Sequence, residues 1–354
     1  MKSPYICTGQ EHMKNMNAEL FSTLSIILIC WTALLASDAV ICGLMKLFAG
    51  IPFRKAFLWG CLSLMIPPAA IAYGSLVERN LFKVRTVGIV CEGLPEGFDG
   101  YRMIHISDIH ARSFEGREEH LQRAVDLINS LDPDMIAFTG DLITTSPDEL
   151  DAVGDILSGL KAEDGVFSVL GNHDYSMYSD MDEEGRRMAL EDLVRREKEM
   201  GWTLLLNENR IITNGKDSIA VVGVENTSPS RHFPSRGDLP KASEGTEGMF
   251  RILLSHDPLH WESEIIGGDY PLTLSGHTHA MQFSLFGWSP SRYMFPQYRG
   301  LYSKDGSPAM ASGDTGKSPR HLYVNPGLGE TIFPARIGVR PEITLITLKR
   351  PAAD

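Results

Sequence analysis

Ser275-Gly276-His277-Thr278-His279 sets two imidazoles two residues apart, just past the apolar run Leu272 to Ser275. On an extended segment, side chains two apart point to the same side, so His277 and His279 project into one space at a strand end. A metal fits there if other segments bring carboxylates and imidazoles to the same place. Four more apolar runs end in the same way. Asp108 and His110 follow Tyr101 to Ser107, and Gly140-Asp141 follow Met135 to Thr139. Gly171-Asn172-His173-Asp174 follow Val166 to Leu170, and His256 follows Arg251 to Ser255. Singly, Asp108 reads as a helix cap, Asp141 as a turn residue and Asn172 as a left-handed turn. Stability gives no reason for such residues at every strand end, and ligands gather outside the carboxyl ends of parallel strands.

The segments between these ends alternate in kind. Thr86 to Cys91 reads as a strand, Glu115 to Ser130 carries helical spacing at Leu121, Val125 and Ile128, and Asp148 to Leu160 reads as a helix. Strand and helix in alternation imply crossover units and a largely parallel first sheet. A charged helix from Asp180 to about Met200 precedes strands at Thr203 to Leu206, Ser218 to Val224 and Arg251 to Ser255, which predict a second sheet. Ser235 to Gly248 and Ser303 to Pro319, rich in glycine, serine and charge, are expected to be loops, the first of them mobile.

Imidazole, carboxylate and amide oxygen without thiolate suit manganese, iron(II) or zinc, and the supply exceeds what one ion takes. Two divalent ions about 3.5 to 4 Å apart share a carboxylate and a bridging water, whose hydroxide attacks phosphorus in line. Asp108-Ile109-His110, Gly140-Asp141, Gly171-Asn172-His173-Asp174, His256 and Gly276-His277-Thr278-His279 resemble, in order, the motifs of the calcineurin-like metallophosphoesterases. The resemblance spans about Met103 to Ile346. Asn325-Pro326-Gly327-Leu328-Gly329 and Pro341-Glu342-Ile343-Thr344-Leu345 look like the membrane-associated bacterial branch.

That resemblance implies an α/β fold, a two-sheet α/β/β/α sandwich, and a ligand set. Asp108, His110 and His279 would hold the first metal, Asn172, His256 and His277 the second, and Asp141 would bridge them. His173 would contact the substrate phosphate and give a proton to the leaving oxygen, with Asp174 orienting its imidazole. Many relatives carry two glycines between the last histidine and a glutamine, whereas this chain has Ala280-Met281 before Gln282. Phe283, Phe286, Trp288, Tyr293, Phe295, Tyr298 and Tyr302 follow. Most are expected in the core; the sharper alternative is an apolar lip that meets lipid or an acylated substrate. Arg292, Arg299 and Arg336 are candidate phosphate contacts, with surface or ion-paired arginines as the plain alternative.

Ahead of the motifs lie two apolar stretches, Leu20 to Phe48 and Ala56 to Val77. Each is long enough to cross a bilayer, and together they predict a transmembrane helical hairpin. Asp38 in the first would cost about 2.5–3.5 kcal/mol in lipid unless it sits near a face or pairs with the other helix. Pro67-Pro68 in the second predict a kink. Lys46, Arg54 and Lys55 at the connection place it in the cytoplasm and the catalytic domain outside, although Arg79, Lys83 and Arg85 argue the reverse.

Residues 1–80 are therefore expected to be a membrane anchor with spans at about 20–48 and 56–77, and residues 81–350 a catalytic domain. The net charge of -12 argues against a nucleic-acid partner of the usual kind. Of the five cysteines only Cys91 falls outside the N-terminal part, so no disulfide framework is expected. The expected activity is hydrolysis of a phosphodiester, because no extra basic cluster near the motifs offers to hold a monoester dianion. The second enzyme reading is pyrophosphate cleavage in a nucleotide-linked lipid precursor of the UDP-diacylglucosamine type. The expected partners are a phosphate ester, lipid-linked in that case, and membrane lipid. A non-catalytic binding protein on the same fold would be expected to have lost a ligand, and none of the seven is missing.

Overall fold

The computed structural model describes residues 9–231, 233–305 and 319–352. Helix α1 (Gly9–Ala49) is followed by α2 (Phe53–Gly60) and α3 (Ile66–Leu76), with a 3-10 turn at Cys61–Met65 between the last two. Leu20–Ala49 and Phe53–Asn80 are long and apolar enough to cross a membrane. They pack as a hairpin. Trp31 Nε1 donates to the Leu64 carbonyl at 2.7 Å and Ser63 Oγ to the Asp38 carboxylate at 3.0 Å. Asp38 thus finds its partner on the other helix, where a side chain at Gly60 would crowd its carboxyl group. The proline pair occupies the start of α3, where a missing N–H costs little, and the break falls in the 3-10 turn just before it.

The next elements in chain order are β1 (Lys83–Val90), β2 (Arg102–Ile106), α4 (Glu118–Ser130), β3 (Met135–Phe138), α5 (Gly154–Leu157), β4 (Val166–Ser168), α6 (Glu183–Glu199) and β5 (Thr203–Leu204). There follow β6 (Glu208–Asn214), β7 (Asp217–Gly223), α7 (Leu239–Ala242), β8 (Phe250–Leu254), α8 (Leu259–Ser263), β9 (Leu272–Ser275), β10 (Gly300–Asp305), β11 (Pro319–Val324) and β12 (Glu342–Lys349). They form two six-stranded sheets, ordered β1-β12-β2-β3-β4-β5 and β10-β11-β9-β8-β7-β6. The first is mixed rather than parallel throughout, because β12 runs antiparallel to β2 and parallel to β1.

Period-two alternation on strands buried on both faces produces three cores. Met103, Met135 and Ala137 of the first sheet meet Val221, Ile252, Leu254 and Leu274 of the second. The opposite face of the first sheet packs Ile104, Ile136 and Phe138 against Leu121, Val125 and Leu193 of its helices. Beyond the second sheet, Val222, Leu253 and Leu322 pack on Leu239, Ala242 and Trp261. The layering is α/β/β/α, as the resemblance implies.

Several local expectations differ from what is observed. Asp148 to Leu160 is not one helix but a 3-10 turn at Pro147–Asp151 and the short α5, because the Glu149 carboxylate folds back onto the N–H groups of Thr144, Thr145 and Ser146. Ser235 to Gly248 is ordered: Leu239 and Ala242 are buried, and Asn207 Oδ1 accepts from the Asp238 N–H at 2.8 Å. From Ser303 the chain forms the end of β10, and residues 306–318 lie outside the described ones. The edge strand β6 escaped the sequence reading because only Ile212 of its seven residues is buried.

Glu197 of α6 is fully buried behind β4, where Ser168 Oγ donates to Oε2 at 2.6 Å and Oε1 has no hydrogen-bond partner. Burial pushes its carboxyl from an ordinary 4.5 up to about 8. The folded chain then binds this proton more tightly than the unfolded one, so its contribution falls as pH rises from about 4.5 to about 8 and is level above. Glu197→Gln is expected to flatten that loss. Its melting temperature should exceed the wild type's at pH 9, by an amount reflecting a few kcal/mol on the order of magnitude, and should differ little at pH 5; parallel melting curves across the range would contradict the assignment.

Candidate metal centre

The strand ends turn sharply to deliver the site residues. Asp108, His110, Asp141, His277 and His279 all have positive φ, between 43° and 71°. Non-glycine residues rarely adopt this conformation, and it concentrates where surrounding structure over-determines it. Two glycines let the chains come close: a Cβ at Gly276 would overlap Ser107 and Asp108, and one at Gly171 would overlap the Asp141 carboxylate.

The sequence-expected ligands converge in two overlapping groups. Asp108, His110, Asp141 and His279 are buried with one donor atom each within 4.8 Å of one another, and so are those of Asp141, His256 and half-buried His277. Asp141 belongs to both. Its Oδ2 lies 3.1 Å from His256 Nε2 and 3.8 Å from His110 Nε2, and His279 Nε2 lies 3.2 Å from Asp108 Oδ1. The Thr139 carbonyl accepts from His256 Nδ1 at 2.6 Å, which fixes the tautomer that turns Nε2 toward the carboxylate. Asn172 joins the constellation with its amide nitrogen given to Tyr178 Oη at 3.0 Å and its carbonyl oxygen buried without a partner. An orphaned amide oxygen beside converging imidazoles and carboxylates fits a divalent cation.

Electrostatics agree with that fit. Burial disfavours ionised Asp108, yet His279 holds its carboxyl below the usual range; His256 does the same for Asp141. Burial also works against a charged His256, but Asp141 and Asp108 outweigh it and push its imidazole up to about 10. Burial and the neighbouring His173 and His279 hold His110 neutral, and burial lowers His277. Protons on imidazole thus neutralise carboxylates that metal would otherwise neutralise.

His173 stands beside the groups, its ring 4.8 Å from that of His110 and 4.3 Å from that of Tyr178. Its Nδ1 donates to the Thr144 carbonyl at 2.8 Å, and its backbone N–H donates to Asp141 Oδ1 at 2.8 Å. Asp174 does not orient this imidazole, contrary to expectation. Its buried carboxylate accepts instead from the backbone N–H groups of Asp141, Leu142, Ile143 and Gly171, tying the loop after β3 to the loop after β4.

A cavity of about 910 Å³ opens over these residues. Its lining includes Tyr178, Phe233, Met281 and Phe295, with Arg79, Arg112 and Arg117 as cationic members. None of the three expected arginines lines it. Arg336 is fully buried and bonded to the carbonyls of Pro326 and Gly329, Arg299 lies 3.5 Å from Glu342, and Arg292 is exposed. The sequence hid the basic cluster because Arg79 comes from the end of the second apolar helix, outside every motif. Tyr178 was also missed, its one signal being its position six residues after Asn172.

The chain belongs to the calcineurin-like phosphoesterases, whose family model matches residues 101–281. It is thus a metal-dependent phosphoester hydrolase. It is similar to the Danio rerio "Transmembrane protein with metallophosphoesterase domain", 33% identical over 301 residues, which cover 82% of this chain and 62% of that protein. The metallophosphoesterase YkuE of Bacillus subtilis (strain 168) is 30% identical over 306 residues, 84% of this chain and 97% of that one. A Chlamydia trachomatis protein named UDP-2,3-diacylglucosamine pyrophosphatase LpxG is 26% identical over 314 residues, covering 75% of this chain and 89% of its own length.

Because His256 keeps its proton at neutral pH in the metal-free chain, loading at pH 8 is expected to release about one proton per chain from this residue. Titration calorimetry of manganese into stripped protein, in buffers of different ionisation enthalpy, measures it. A heat independent of buffer, or one unchanged in His256→Gln, would count against the assignment.

Proposed function

We propose that this phosphohydrolase cleaves phosphodiester bonds with two divalent ions, manganese, zinc or iron, one held by Asp108, His110 and His279 and the other by Asn172, His256 and His277, with Asp141 between them. The observation that carries the proposal is that Asp141 belongs to both buried groups. When bound, the ions supply Lewis-acid activation of the attacking water and of the phosphoryl oxygens. His173 is the proton donor to the leaving oxygen: the Thr144 carbonyl engages its Nδ1, so Nε2 takes up and delivers the proton.

The commitment of the arginines supports the diester reading. Arg79 and Arg117 share Glu330, at 4.0 and 3.4 Å, while the Arg112 side chain has no hydrogen-bond or ion partner among the described residues. One uncommitted cation beside a wide cavity suits a singly charged diester better than a monoester dianion. The second reading, cleavage of a pyrophosphate in a nucleotide-linked lipid precursor, is favoured by the name of the Chlamydia trachomatis relative, a UDP-2,3-diacylglucosamine pyrophosphatase.

Residues 81–350 are the catalytic unit of this proposal and residues 1–80 its anchor. Lys46, Arg54 and Lys55 at the hairpin connection favour a cytoplasmic connection and an outside catalytic unit, against the opposing Arg79, Lys83 and Arg85. Protease added to intact cells should then remove the catalytic unit, and full protection would reverse the orientation.

Metal-stripped protein reloaded with manganese, zinc or iron is to be assayed on a monoester, a diester and a nucleotide-lipid pyrophosphate. The diester is expected to be the best substrate, and Asp141→Asn to lose about a thousandfold or more in kcat. Equal inactivity of wild type and Asp141→Asn in every combination would sink the proposal. His173→Ala should keep its metal content yet lose about a hundredfold or more on esters with poor leaving groups, and full activity would make His173 a turn residue only.

A further inference from the structure

Of the aromatics after Gln282, Phe295 is buried and Tyr302 packs against the core beyond the second sheet, whereas Phe286, Trp288 and Tyr293 are exposed. Leu285-Phe286-Gly287-Trp288 is a two-residue hairpin, with Leu285 N–H donating to the Trp288 carbonyl at 2.8 Å and Trp288 N–H to the Leu285 carbonyl at 3.0 Å. Phe286 stands at its tip, fully exposed, with φ of 51°. Glycine or asparagine is the unstrained choice at such a position, and a bulky side chain there needs a reason. Ile332, a β-branched residue with φ of 64°, is 73% exposed nearby, and Met281 with φ of 52° is 45% exposed. Tyr293 and Met294 are exposed too. Local strain is thus borne at three positions that present apolar side chains to the outside.

The hairpin is joined to the end of the second apolar helix. Phe283 pairs with Ile337, and Ser284 N–H donates to the Ile337 carbonyl at 2.8 Å. Ile337 and Arg336 in turn lie on Gly74 of α3, where an added Cβ would stand 2.9 and 2.7 Å from their atoms. Glu78 accepts from the Gly338 N–H at 3.0 Å, and Gln282 donates to the carbonyls of Phe333 and Ala335. Ser22, near the start of the first apolar helix, lines the catalytic cavity itself, as do Met281, Met294, Ile332 and Phe333. Both helices therefore meet the globular part at the mouth of the cavity.

We propose that the Leu285–Trp288 hairpin, with Tyr293, Met294 and Ile332, is embedded in the leaflet from which the two helices emerge. The metal cavity then opens at the headgroup layer and receives a membrane-resident phosphoester whose acyl chains stay on the bilayer side. Continuity with the membrane-spanning hairpin singles out lipid as the occupant of this surface. The substrate half rests on the phosphohydrolase reading above; the membrane contact does not.

The test uses full-length protein reconstituted in vesicles of phosphatidylcholine and phosphatidylglycerol. An environment-sensitive fluorophore on Phe286→Cys is compared with one on Lys216→Cys, in the β6–β7 turn at the opposite end of the strands, after subtracting labelled unsubstituted protein. Doxyl-labelled lipid is expected to quench the label at 286 strongly and that at 216 hardly at all. Equal, water-like quenching at both would overturn the proposal, and so would a label at 286 shielded by a second copy of the chain rather than by lipid.

In parallel, Phe286→Asn, which suits the left-handed turn, combined with Tyr293→Ser should lower the rate on a long-chain lipid phosphodiester in vesicles by at least about tenfold. Hydrolysis of soluble bis(p-nitrophenyl) phosphate should stay within about twofold; equal loss on both substrates, or on neither, contradicts the proposed route of entry. Inactivity of wild type on every ester with the lipid quenching intact would discard the hydrolase reading and the proposed substrate while leaving the membrane contact.

Discussion

Two carboxylates, Asp108 and Asp141, are almost completely removed from water at the ends of neighbouring strands. Buried negative charge is costly unless cations stand against it, and here five imidazoles are placed to do so, with the buried guanidinium of Arg336 acting on Asp108 as well. Protonated His256 meets the requirement in the metal-free chain, and divalent ions meet it in the working enzyme. Much of the surrounding structure can be traced to holding these groups in place. Asp174 collects four backbone N–H groups to join the loops after β3 and β4, and Thr139 and Thr144 lend carbonyls to orient His256 and His173.

The second sheet adds its ligands through the same kind of turn. Left-handed residues at His277, His279, Ala280, Met281 and Gln282 turn the chain off β9. Glycine would meet this geometry without strain, whereas this chain meets it with alanine and methionine. Met281 puts an apolar side chain on the cavity rim, and Gln282 anchors the turn by bonding both ways to the 331–335 segment. That segment carries Ile332 on the same rim, so catalytic turn, apolar rim and membrane helices form one connected unit.

Closure of the first sheet by the end of the chain matters for the same reason. β12 enters between β1 and β2, and Asn325 bonds across to the His105 and Glu342 carbonyls and to Thr344 Oγ1. Buried Arg336 holds the carbonyls of Pro326 and Gly329. This brings the 335–338 segment onto Gly74 of α3, so the second apolar helix is packed against the part of the chain that also supports the site.

The sequence by itself determined the candidate metal-binding residue types, their order and the two apolar helices, because these are local matters of composition, period and position past a strand. The α/β/β/α layering was legible for the same reason, in strands that alternate with helices. Only the tertiary structure decided that Asp141 is shared by both groups, that Asp174 serves backbone rather than His173, and that Arg79, Arg112 and Arg117 meet at one cavity. It also turned the expected aromatic core outward at Phe286, Trp288 and Tyr293, and made an ordered, partly buried element of the expected mobile loop at 235–248. The physical reason is common to all of these. Which way a side chain points after a strand depends on a positive φ and on close approach to segments more than a hundred residues away, and neither leaves a periodic trace in the sequence.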